Sequence, residues 1–172
     1  IRDMSSDWSS DVCSSDLQVE LLPLFAHGDT MDRICASPVD MVVDAIDSFT
    51  PKTALLTGAK ERGLPLLSAM GCSARTDPTL VTVGDISETY NCPLARRVRK
   101  ALRKEGIHRG IRVVFSTEPP EHQAFEREEL PVEEREGEEY RRGRPRRVLP
   151  SAVIVPGAVG LTLARETLRL LT

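Results

Sequence analysis

Between Met41 and Met70 the chain runs MVVDAIDSFTPKTAL, then a helix-compatible stretch, then GLPLLSAM, and this order leaves little choice of fold. Met41, Val42, Val43, Ala45 and Ile46 form a nearly continuous β-rich apolar run, which suits a strand covered on both faces of a parallel sheet. Thr50 offers an N-cap hydroxyl and Pro51 a first helical residue whose missing N–H costs nothing, so the spacing predicts a helix from Pro51 to about Arg62. Gly63 suits the left-handed position that closes such a helix, and Leu64 to Met70 is a second short apolar run. Strand, helix, strand implies a right-handed βαβ unit, and open α/β sheets bind ligands beyond the carboxyl ends of their strands. Asp44 and Asp47 fall at or near such an end.

The flanking segments extend this pattern. QVELLPLF upstream reads as another strand, and DTMDRICAS as a helix with an acidic first turn. Downstream, DPTLVTVGDIS alternates Leu80, Thr82 and Gly84 against Val81, Val83 and Asp85, as a strand near a sheet edge would. NCPLARRVRKALRKEG carries the strongest helical signal: Pro93 opens it, Gly106 closes it, and Leu94, Val98, Ala101 and Leu102 recur at helical spacing. Its opposite face is basic. IRVVFST supplies a further strand. Between Pro119 and Pro150 an acidic run gives way to RRGRPRR, and the segment 119–150 is expected to be a flexible charged loop. Pro156 and Gly157 read as a break before a final helix from about Ala158 to Leu171.

With 172 residues and 40% hydrophobic content, the chain is long enough for one core. The net charge of −3 conceals segregated acidic and basic blocks and says little about partners. Cys13, Cys35, Cys72 and Cys92 are widely spaced, without a CxxC pair or neighbouring histidines, which supports neither a zinc site nor a disulfide framework. No apolar run approaches the roughly 20 residues of a membrane helix, and the N-terminus lacks the order of a signal peptide. A reducing, cytoplasmic setting is expected, with neither membrane nor DNA as partner.

The blocks VVDAIDSFTPKTAL, SAMGCSARTDPT, VGDISETYNCPLARRVRKALRKEGI and VVFSTE, in this order and spacing, resemble the tRNA threonylcarbamoyladenosine dehydratases of the ThiF/HesA/MoeB superfamily, relatives of ubiquitin-activating enzymes. The resemblance runs from about Gln18 to Thr172 and is most specific from Met41 to Glu118. It implies an α/β fold, the C-terminal part of a Rossmann-like adenylating-enzyme domain, with a parallel βαβ core, additional strands and a C-terminal helix. It also implies an activity: ATP activates the carboxylate of the threonylcarbamoyl group on the adenosine next to the anticodon of tRNA, and the carbamoyl group then closes a ring. ATP and Mg²⁺ are the implied cofactors, tRNA the substrate, and a homodimer the implied assembly.

Carried onto this sequence, Asp47 matches the strand-end aspartate beside the ATP phosphates and serves as a Mg²⁺ ligand, a hard oxygen donor of the kind that ion prefers. The other reading of Asp47 is a cap for the following helix. Lys52 lies where relatives carry a basic residue that faces phosphate; the alternative is an exposed first-turn lysine. Asp44 reads as a structural strand residue, and Cys72 as a small buried cysteine rather than a nucleophile. Arg96, Arg97, Lys100, Arg103 and Lys104 are the tRNA-contact candidates, with a solvated helix face as the alternative. No catalytic residue is assigned.

The family's glycine-rich phosphate loop precedes the VVDAID strand, and no GxGxxG occurs before Met41. Back-translation of Asp7 to Leu17 with ordinary codons matches a standard short-read sequencing adapter, and Ile1 to Asp3 match the bases ahead of its barcode. Residues 1–17 are therefore expected to be translated adapter without structure, and 18–172 a truncated ThiF-type domain that is inactive by itself. Two other functions remain open: adenylation of a ubiquitin-like or sulfur-carrier protein, and a non-catalytic RNA-binding module.

Overall fold

The computed structural model describes residues 20–36, 38–120 and 152–172. Four strands, β1 (Val42–Asp44), β2 (Leu66–Ala69), β3 (Val81–Asp85) and β4 (Arg112–Ser116), form one sheet in the order β1-β2-β4-β3. β1 and β2 run parallel with Val42 opposite Leu66, β2 and β4 run parallel with Ser68 opposite Val113, and β3 is an antiparallel edge strand. The expected α/β class, the parallel βαβ core and the edge position of β3 are all present.

Among the described residues, four α-helices follow from local signals: α1 (Met31–Ile34), α2 (Phe49–Glu61), α3 (Pro93–Lys104) and α4 (Ile154–Leu171). Gly63 and Gly106 close α2 and α3 at φ of 68° and 75°, a conformation that costs a residue with a Cβ about 1–2 kcal/mol. α2 starts two residues before Pro51, with Ser48 as N-cap rather than Thr50. The first turn of a helix has no intrahelical N–H partners, so Pro51 is tolerated within it as well as at its first position. The same physics corrects the final helix: Pro156 and Gly157 lie inside the first turn of α4 and do not break it. The strand predicted over QVELLPLF is not formed in its described part, where Glu20 to Phe25 have no regular structure. The predicted loop, apart from Pro119 and Pro120, and the 1–17 segment lie outside the described residues.

Side chains alternate across the sheet into two cores. Leu66, Val113 and Phe115 face α2 and α3, packing with Leu56, Ala59, Val98 and Leu102. Leu67 and Val114 face α4, packing with Val159 and Leu163. Helices thus cover both faces, which explains why β2 and β4 read as continuous apolar runs. No helix among the described residues is long and apolar enough to cross a membrane.

Candidate functional site

The carboxyl ends of β1 and β2 open into a crevice of about 390 Å³, lined by Ala45, Asp47, Gly71 to Ser73, the first turn of α3 at Leu94, and α4 at Val159 and Gly160. Asp47 is exposed and is the sole acidic residue of this lining. It precedes the N-cap residue of α2 by one position, so the turn joining β1 to α2 presents its carboxylate at the strand end.

Beneath that turn lies a dry polar cluster. Lys52 Nζ donates to Asp44 Oδ2 at 2.5 Å, to the Ala69 carbonyl at 2.9 Å, and weakly to Ser68 Oγ at 3.5 Å. Asp44 also accepts from Ser68 Oγ at 2.5 Å and from the Ile46 N–H at 2.9 Å. Lys52 is thus neither exposed nor directed at the crevice: its side chain is 1% exposed and its three N–H donors end on protein oxygens. Asp44 is structural, as expected. It ties β1 to β2 and α2, and through the Ile46 amide it sets the turn that carries Asp47.

The crevice's second wall is held by another buried cation. Arg75 is 2% exposed, and its guanidinium donates to the carbonyls of Gly71, Ser73, Asn91 and Glu118. The Glu118 carboxylate in turn accepts the N–H groups of Thr76 and Asp77 at 3.0–3.1 Å. Together they fix a loop that includes Ala74 at φ 58°, a left-handed conformation. Neither role was visible in the sequence. An arginine inside an otherwise small, apolar loop was the signal available, since such a fork suits several carbonyls at once.

Cys72 is half-buried on this wall. Burial pushes its thiol up; Arg75 only partly opposes this, and Cys92 and Asp47 add to it. A thiol kept protonated is a poor nucleophile, in accord with the packing role. Among the described residues no cluster of three or more His, Cys, Asp or Glu side chains forms a metal site. The five basic candidates Arg96, Arg97, Lys100, Arg103 and Lys104 are all exposed along α3. The structure does not gather them around Asp47, although Arg97 lies over the Phe49 ring at 4.5 Å, two residues beyond it.

The chain matches the family described as ThiF over residues 11–172. It is 40% identical over 134 residues to tRNA threonylcarbamoyladenosine dehydratase 2 of Saccharomyces cerevisiae, an alignment covering 72% of this chain and 29% of that protein. It is also 40% identical over 103 residues to the tRNA threonylcarbamoyladenosine dehydratase of Bacillus subtilis, covering 60% of this chain and 41% of that protein. The chain therefore spans less than half the length of these relatives. Among solved structures, the E. coli tRNA N6-threonylcarbamoyladenosine dehydratase TcdA in complex with AMP superposes with a TM-score of 0.64 at 25% identity, over 86% of this chain and 55% of that one.

Proposed function

Because the chain belongs to the ThiF family, we propose that it forms part of an ATP-dependent enzyme that dehydrates threonylcarbamoyladenosine in tRNA to a cyclic product. The observation that carries this reading is Asp47, an exposed carboxylate at the rim of a crevice beyond the ends of two parallel strands. The position is the one where open α/β sheets take nucleotides. The AMP held by the similar E. coli dehydratase supports a nucleotide as the ligand here.

The donor set fits Mg²⁺ held jointly with a nucleotide and not by protein alone. One carboxylate plus phosphate oxygens is an ordinary environment for this ion, which keeps most of its waters. Asp47 would hold Mg²⁺, and ATP supplies a leaving group for an oxygen that a carboxylate by itself releases poorly. The chain's own residues prepare the place. Asp44 and Lys52 fix the turn beneath Asp47, and Arg75 with Glu118 hold the loop 71–77 that forms the facing wall. Val159 and Gly160 of α4 close one side against water.

In the reaction a bond forms between the carbamoyl group and the carboxyl carbon, and one carboxyl carbon–oxygen bond breaks, its oxygen leaving with the activating phosphate. Net loss is one water. The test is a mass measurement on nucleosides from tRNA incubated with the protein expressed from its complete reading frame. ATP-dependent loss of the mass of one water from threonylcarbamoyladenosine supports the proposal. Adenylation of a small protein's C-terminal glycine with no change in tRNA would replace it with the carrier-activating alternative.

A further inference from the structure

The geometry points to the outer face of α3 as an RNA-docking surface that guides a polynucleotide backbone toward the crevice, an inference that rests on the tRNA reading above. Within Pro93–Lys104 there are six basic residues and no acidic one. At about 100° per residue, Arg96, Arg97, Lys100, Arg103 and Lys104 fall within an arc of about 120°. Ala95, Val98 and Leu102 occupy the opposite side and are buried against the sheet. None of the five has an ion pair among the described residues, whereas Arg112 is paired with Glu166 and Arg62 with Asp32. Five neighbouring cations without an ion-pair partner among the described residues raise a positive potential that a run of phosphates satisfies.

Position gives the face its direction. α3 starts at the crevice, where Leu94 lines the wall and Cys92 caps the helix. Arg97, stacked on Phe49, stands beside the turn bearing Asp47. From its neighbour Arg96, Lys100 and Arg103 follow along one ridge, about 6 Å and then about 4.5 Å further on at 1.5 Å of rise per residue. A strand whose adenosine enters the crevice would leave its flanking phosphates over this ridge. The face has no aromatic side chains for stacking, so it is suited to phosphates and not to base readout.

The test uses the 172-residue chain and a fluorescein-labelled anticodon stem-loop RNA, followed by fluorescence anisotropy at several salt concentrations. The triple variant Arg96→Gln, Lys100→Gln, Arg103→Gln keeps the buried face intact. It is expected to weaken binding at least tenfold in low salt and to reduce the slope of log affinity against log salt by about 2–3. A matched double variant on α4, Arg165→Gln with Arg169→Gln, is expected to change binding less than twofold. Unchanged affinity and slope in the α3 triple, or an equal loss in the α4 double, would overturn the proposal. The readout involves neither ATP nor turnover, so α3-dependent binding without dehydration would sink the proposed reaction and leave the docking surface standing.

Discussion

Lys52 and Asp44 meet as an ion pair at 2.5 Å with side chains 1% and 0% exposed, the lysine from the first turn of a helix and the aspartate from the end of a strand. Two charges removed from water are tolerable only when every partner is present. Lys52→Met leaves Asp44 buried and short of its main donor, and is expected to cost about 3–5 kcal/mol in urea unfolding. The double variant Lys52→Met with Asp44→Asn should recover part of that loss. A single variant within about 0.5 kcal/mol of the parent would show that the pair contributes nothing.

The guanidinium of Arg75 reaches four carbonyls, and a lysine ammonium has three donors on a point charge. Arg75→Lys should therefore leave carbonyls of the loop 71–77 unsatisfied and cost about 2 kcal/mol. The amides of Thr76 and Asp77, bonded to Glu118, should exchange with solvent faster in this variant. Unaltered protection of both amides would mean that the loop is held by something other than this fork.

These two clusters mark the limit of what the sequence displayed. The βαβ core was legible because Met41 to Val43 and Leu64 to Leu67 are short apolar runs without helical periodicity, separated by a helix with a proline near its start and a glycine at its end; β2 is covered on both sides, whereas Val43 of β1 is 44% exposed. α3 was legible because its apolar and basic residues segregate at helical spacing between a proline and a glycine. The strand expected over QVELLPLF is not formed at Glu20 to Phe25, since alternation specifies a face and not a neighbour. The N-cap inferred at Thr50 and the break inferred at Pro156 failed because proline anywhere in a first turn gives up no hydrogen bond. Asp47 could be placed from its motif, but the Lys52 contact joins β1, α2 and β2, and no local spacing encodes it.

Cys72 offers a pH test of the crevice wall. Its thiol lies above the ordinary range of about 8.5 through burial, which Arg75 opposes only in part and to which Cys92 and Asp47 add. Alkylation by iodoacetamide at neutral pH should be slower than for a free thiol, and the rate should climb at a higher pH than for a free thiol. Rapid modification near pH 7 would reveal an activated cysteine and reopen a nucleophilic role.

On the acid side, Asp85 is the group to follow. Burial pushes its carboxyl up, but hydrogen bonds from the Ser87 hydroxyl and N–H and from the N–H groups of Gly110 and Ile111 outweigh this and hold it below the usual range. A lowered folded pKa means stability that is present above the unfolded value near 3.9 and lost as pH falls through the folded one. Asp85→Asn should lower stability at pH 7, and its difference from the parent should shrink as pH drops below about 4. A difference independent of pH would mean that the carboxylate charge is not what matters.

The most direct test of the account is Asp47→Asn in the protein expressed from its complete reading frame, assayed by nucleoside mass for ATP-dependent loss of one water from threonylcarbamoyladenosine in tRNA. Asp47 is exposed, so stability should change by less than about 0.5 kcal/mol while cyclisation is abolished. Cyclisation by Asp47→Asn at the parental rate would contradict the placement of the nucleotide and its metal ion at this strand end.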